Sequence, residues 1–235
     1  MIQTMKNLVF LTGAGMSAES GISTFRDSGG LWEQYKVEDV ASIEGYIRNP
    51  KLVLEFYNTR RNELKEVKPC PGHYGVADFE KKFNVTVVTQ NVDNLHERAG
   101  STHVIHLHGE LTKACSSRDP NNPRCIRELK EGEEIHLGDK AADGSQLRPF
   151  IVWFGESVPE IETAIHYVQK ADILVVIGTS LNVYPAAGLL YYAPDEAEIY
   201  LIDPKPVDPH TRKEIHIIKK GASEGVKELA GLLEP

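Results

Sequence analysis

A chain of 235 residues, 41% of them hydrophobic, is long enough to bury one substantial core, either as one large domain with an insertion or as two unequal domains. Its 26 Lys and Arg against 34 Asp and Glu give a formal charge of -8, the wrong sign for direct, general electrostatic binding of nucleic acid. The first apolar run is too short for a signal peptide or a membrane span, and Cys70, Cys115 and Cys125 are too few and odd in number for a disulfide framework. A cytoplasmic protein with no membrane partner is therefore expected.

Apolar, β-branched runs at 8–12, 85–89, 173–177, 198–202 and 215–218 read as strands of a buried parallel sheet. Amphipathic stretches at 50–67, 73–83, 160–169 and 223–233 read as helices between them. This alternation predicts an α/β fold with a Rossmann-type, doubly wound sheet. Two segments break it: 28–67, largely helical, and 111–148, polar and rich in turns. Neither supplies a strand to the main sheet. Both are expected to pack together as a smaller domain, leaving 1–27, 68–110 and 149–235 as the larger one, with a ligand cleft between the two.

Four clusters sit where strands end, which is where parallel sheets bind ligands. After the first strand, Gly13-Ala14-Gly15-Met16-Ser17-Ala18 fits G-x-G-x-x-A, a turn at which small residues admit a pyrophosphate to the N-terminus of a helix. A tight turn with close helix packing gives the same letters. A dehydrogenase would reach a second strand and a ribose-binding acid about 20 residues on. Glu38 and Asp39 lie near that distance, but the stretch up to Trp32 is no strand, which weakens hydride transfer. After the second strand, Gln90, Asn91 and Asp93 bring groups that could bond a carboxamide and ribose hydroxyls, or simply form a turn capping the next helix. His108, beside Gly109 at the end of a short strand, is either a general base or a satisfied structural histidine. Gly178-Thr179-Ser180 closes the fourth strand with hydroxyls and bare backbone.

Taken in order, the run from Gly13 to Arg26, Thr89-Gln90-Asn91-Val92-Asp93, His106-Leu107-His108-Gly109, Val152-Trp153-Phe154-Gly155-Glu156 and Gly178-Thr179-Ser180 resemble the sirtuin family across nearly the whole chain. The resemblance implies a Rossmann-type large domain, a small domain built from two insertions, and NAD consumed as a co-substrate. It further implies acylated lysine side chains of proteins or peptides as partners: the acyl oxygen attacks the ribose carbon that bears nicotinamide, nicotinamide leaves, and the acyl group passes to ADP-ribose.

By the same resemblance His108 is the general base, and Asn91 and Asp93 hold the ribose and the nicotinamide carboxamide, with Gln90 on the ribose. Gly13, Ala14 and Gly15 face the phosphates, with Ser17 and Ala18 beside them; Phe25 and Arg26 close over the reacting ribose, and Trp32 belongs to the same cofactor-binding set. Gly178, Thr179, Ser180, Asp203 and the backbone near Ala222 contact the adenosine half. Val152, Phe154 and Gly155 resemble the segment that receives the substrate peptide as an added β-strand, a mode that tolerates many sequences.

Two departures carry information. Many sirtuins hold zinc on two Cys-x-x-Cys pairs, whereas the second insertion here has only Cys115 and Cys125, ten positions apart, so no metal is expected. Tyr57 and Arg60, three apart on one helix face, resemble the Tyr-x-x-Arg pair of sirtuins that remove succinyl, malonyl and glutaryl groups. Mono-ADP-ribosyl transfer and a catalytically silent NAD sensor remain as rival readings. The first gives Tyr57 and Arg60 no purpose, and the second predicts loss of His108.

Overall fold

The computed structural model describes residues 5–22, 35–209, 211 and 213–233. In chain order, β1 (Asn7–Thr12) leads into α1 (Ala14–Ala18), and α2 (Val37–Val40), α3 (Ile43–Arg48) and α4 (Pro50–Glu66) form a helical excursion. Next come α5 (Pro71–Asp78), β2 (Asn84–Thr89), α6 (Leu95–Ala99) and β3 (Val104–His106). A second excursion carries β4 (Gly109–Ser116), β5 (Arg127–Glu128) and β6 (Leu147–Ile151). The chain finishes with α7 (Ile161–Val168), β7 (Ile173–Ile177), β8 (Glu198–Ile202), β9 (His216–Ile218) and α8 (Ala222–Leu232).

The main sheet has the order β3-β2-β1-β7-β8-β9 and every pairing in it is parallel. Its strands are buried on both faces because alternate residues enter different cores. Val9, Leu11, Leu174 and Val176 face one cluster, while Leu8, Phe10, Ile173, Val175 and Ile177 face the other. The chain runs outward from β1 to β3 and later from β7 to β9, so strand order reverses between β1 and β7, and the crevice at their carboxyl ends is the place for a ligand.

The expected strands are all present, and the segment expected as 73–83 is a helix that ends in a 3-10 turn at Phe79–Lys81. The second excursion, read as polar turns, instead holds an antiparallel sheet of order β5-β4-β6 whose strands overrun 111–148 at both ends. Charged and irregular positions hid it: Lys113 interrupts β4, Arg148 and Pro149 interrupt β6, and the register shifts between Glu110 and Ala114. Gly109 starts β4 at φ +79 with Phe150 O only 2.1 Å from where a Cβ would stand, so the chain turns out of His108 as no other residue could.

A third core joins the two excursions, with Val53, Leu54 and Tyr57 of α4 against Leu111, Ile135, Leu147 and Trp153. Helix α4 starts sharply, since Pro50 occupies its first turn and Asn49 Oδ1 accepts the Leu52 N–H at 3.2 Å. Its buried polar face pins the second excursion. Asn58 Nδ2 donates to Ile135 O (2.9 Å), Ile135 N donates back to Asn58 Oδ1 (3.0 Å), and Arg61 Nε donates to Leu111 O (2.8 Å). Leu111 and Ile135 are buried, whereas Leu137 is 52% exposed.

Cys115 and Cys125 are both buried as free thiols, and burial pushes the Cys115 thiol up to about 11. Among the described residues no group of three or more His, Cys, Asp or Glu is placed to hold a metal. Because the Cys-x-x-Cys pairs are missing from the sequence, chelator treatment is expected to leave the urea midpoint of unfolding unchanged, since structural zinc contributes folding free energy directly. Elemental analysis giving about one zinc per chain would overturn this and point to Cys115 and Cys125 as ligands.

Candidate active site

Three strand ends meet at the crevice. The turns after β1 and β7 interlock: Gly13 N donates to Ile177 O (2.9 Å) and Gly15 N to Gly178 O (2.8 Å). A Cβ on Gly15 would lie 2.6 Å from Gly178 Cα, and one on Gly178, at φ +61, 2.5 Å from Met16 N. These glycines are thus required first by backbone packing against each other. The N–H groups of Gly13, Gly15 and Met16 are committed inside the protein, a change from the expectation that this turn offers them freely to a phosphate.

The turn after β2 is wired to α1. Asn91 Nδ2 donates to Gly13 O (3.0 Å) and Ser17 Oγ (3.1 Å), and Ser17 Oγ donates to Asp93 Oδ2 (2.9 Å). Asp93 Oδ1 also caps α6 by accepting the Leu95 N–H at 3.1 Å. Burial raises the Asp93 carboxyl above its ordinary range, opposed by these hydrogen bonds. Gln90 Nε2 donates to Thr179 Oγ1 (3.0 Å), tying the β2 end to the β7 end.

His108 follows the last residue of β3 by two positions. Its Nδ1 lies 3.0 Å from Gln90 O. A carbonyl only accepts, so the proton sits on Nδ1 and Nε2 keeps its lone pair. Burial lowers its pKa, with the Gln90 bond opposing, so the ring is neutral at pH 7.

These groups share one cavity of about 1030 Å³ whose lining runs from Gly13, Asn91 and His108 to Tyr57, Arg60 and Phe154. Tyr57 is 4% exposed, and its hydroxyl accepts the Trp153 Nε1–H at 3.0 Å, which leaves the phenolic hydrogen to donate. Burial pushes its pKa up to about 12, so it stays a neutral donor. Arg60, one turn on, lies against the Phe56 ring (5.9 Å), and burial lowers its pKa.

The wall opposite is braced by Arg148, 1% exposed. It grips Glu156 with both nitrogens (2.7 and 2.9 Å), donates to Ile151 O (2.7 Å) and lies 3.8 Å over the Trp153 ring. Glu156 Oε2 accepts the Trp153 N–H as well (2.9 Å), which fixes the turn that displays Phe154 and Gly155. Phe154 pairs its backbone with Ala41 O (2.9 Å) and Ile43 N (3.0 Å), and Val152 N donates to His108 O (2.9 Å). Strand addition at Phe154 itself is therefore blocked by Ala41 and Ile43, which narrows the expected peptide-pairing backbone to Gly155 and the Val152 carbonyl.

Of the residues singled out from sequence, Gly13, Ala14, Gly15, Ser17, Ala18, Gln90, Asn91, Asp93, His108, Gly178, Thr179, Ser180, Asp203, Tyr57, Arg60, Val152, Phe154 and Gly155 all line this cavity. Ala222 is buried in the core of the sheet, and its neighbour Gly221 lines the cavity instead. Phe25, Arg26 and Trp32 lie outside the described residues. Sequence reasoning missed the Arg148–Glu156 brace and a buried pair, His73 and His96, beneath the β1 end. Burial lowers both, His73 to about 4. An Arg before Pro and a His inside a helix give no sequence signal of burial.

Comparison with known proteins gives one answer. The profile of the Sir2 family matches residues 13–185, well over half of the chain. An NAD-dependent protein deacylase of Bacteroides thetaiotaomicron is 72% identical over 232 residues, covering 98% of this chain and 99% of the relative. One from Helicobacter pylori is 50% identical over 225 residues, covering 96% of each. A solved Sir2 homolog in complex with NAD superposes with TM-score 0.84 at 36% identity, over 98% of this chain and 91% of that one. A Sir2 protein bound to a propionylated peptide gives 0.77 at 27%, over 97% and 93%. The chain belongs to the Sir2 family.

Proposed function

We propose that the protein is an NAD-dependent protein-lysine deacylase that prefers acidic acyl groups, succinyl, malonyl or glutaryl, over acetyl while retaining deacetylation. The observation that carries the preference is that Tyr57 and Arg60 line the same cavity as His108. The relatives' name and the complexes of Sir2 structures with NAD and a propionylated peptide support the general reaction.

The donor set suits NAD. Small residues at 13–15 leave room for a pyrophosphate at the Ala14 N–H, and Asn91 and Asp93 stand on the same wall as His108. When bound, NAD supplies an electrophilic ribose carbon with nicotinamide as leaving group. The chain's part is then positional and acid–base. Thr179, Ser180 and Asp203 hold the adenosine side. His108 Nε2, bare because burial keeps the ring neutral and its one proton sits on Nδ1 against Gln90 O, takes a proton from a ribose hydroxyl. Acylated lysine reaches this point past Phe154, Gly155 and Val152. The three buried free thiols suit a reducing compartment, and we place the enzyme in the cytoplasm.

A carboxylate at the end of the acyl chain meets the Arg60 fork and the Tyr57 hydroxyl. Such charge-assisted bonds are worth about 1.5–3 kcal/mol, one to two orders of magnitude in specificity. Arg60→Met should remove most desuccinylation, chiefly through KM, and spare deacetylation. Mass spectrometry of NAD-dependent turnover on a panel of acyl-lysine peptides reads this directly, and an ADP-ribose adduct would reveal transfer to protein instead. Equal loss of both activities in Arg60→Met, or a wild type indifferent to succinyl peptides, would make Arg60 structural and the enzyme a plain deacetylase.

A further inference from the structure

Two histidines, not one, hang from the turn after β2. His108 Nδ1 sits on Gln90 O, and His106 Nδ1 sits on the next carbonyl, Asn91 O, at 3.0 Å. The rings differ at the other nitrogen. His108 Nε2 is left for chemistry, whereas His106 Nε2 is 2.7 Å from Glu97 Oε1. Both acceptors around His106 are oxygens without hydrogens, a carbonyl and a carboxylate, so both ring nitrogens must donate.

We infer that His106 is a positioning residue that has to carry both ring protons for the Asn91–Asp93 turn to keep its working shape, and that Glu97 holds the second proton there. This rests on the reading that Asn91 and Asp93 bind NAD. A neutral imidazole has one N–H. With it on Nδ1, the Nε2 lone pair faces the Glu97 carboxylate; with it on Nε2, the Asn91 carbonyl loses its donor. Either way the turn that aims Asn91 and Asp93 is disturbed. The imidazolium charge also acts on Asp93, which is only 6% exposed and is otherwise bonded by the neutral donors Ser17 and Leu95.

The charged and titratable groups facing His106 are Glu97 and His96 from α6, Glu110 from β4, itself bonded to Lys113 at 2.6 Å, and Asp93 from the turn. Desolvation pulls His106 down, but the hydrogen bond and charge of Glu97, with Glu110, outweigh it and raise the pKa. The pKa values of His106 and His108 are therefore moved in opposite directions. Activity requires His108 deprotonated and His106 protonated, which makes a bell whose alkaline limb belongs to His106.

The test is the pH profile of kcat/KM for NAD with an acetyl-lysine peptide, which keeps it independent of acyl preference. Glu97→Gln, at the exposed end of the pair, should move the alkaline limb down by at least about one pH unit, the usual scale for losing an adjacent opposite charge. His106→Gln should lose that limb and be slower at every pH. A Glu97→Gln limb at the wild-type position, or a wild type with no alkaline limb, overturns the inference. Asp93→Asn with undiminished activity would instead overturn the reading beneath it, whatever the limb does.

Discussion

His108→Ala is expected to lower turnover by at least about a hundredfold, the ordinary scale for loss of a general base, while the fold and NAD affinity persist. Among the described residues the ring's one hydrogen bond is to Gln90 O, and Gln90 keeps its own anchors at Thr12 O and Thr179 Oγ1. Calorimetric titration with NAD together with steady-state rates separates the two properties. Because burial lowers the His108 pKa, the base stays active at neutral pH, and the acid limb of the wild-type profile appears as pH drops through that lowered value. A variant with near wild-type turnover would remove His108 from the mechanism.

Glu156→Ala is expected to destabilise the protein by about 3–5 kcal/mol, since it leaves the Arg148 guanidinium buried without its counter-charge. Arg148 is 1% exposed, and among the described residues it would keep only uncharged neighbours: the Trp153 and Tyr46 rings and the carbonyls of Ile151 and Pro149. Urea unfolding measures the loss. The double variant Arg148→Met/Glu156→Ala should recover part of it, because removing both charges removes the desolvation problem. A single variant within about 1 kcal/mol of wild type would mean that water reaches the guanidinium and the brace is a surface pair.

The main sheet was legible because its strands are short β-branched runs between clear turn residues, and burial on both faces leaves little polar interruption in 8–12 or 173–177. The site was legible for a related reason: parallel sheets bind ligands at strand ends, so Gly13, Asn91, His108 and Thr179 were found by position as much as by type. The small sheet was not, since β4 and β6 are held by partners remote in sequence. Arg148 looks like a surface cation until Glu156 and Trp153 are seen around it. His106 stood out only as a member of the run His106-Leu107-His108-Gly109, because nothing local announces Glu97 as its partner nine residues back.

The interlocked glycines have a mechanical consequence. With Gly15 and Gly178 backbones in contact and two hydrogen bonds crossing the seam, the turns after β1 and β7 behave as a single rigid anvil. Neither can swing toward a bound dinucleotide without dragging the sheet's central strands along. Any closing about a ligand would then have to leave this pair of turns in place. The floor of the cavity is thereby a fixed ruler, and under the proposed function it is the reference against which acyl chain and ribose would be aligned.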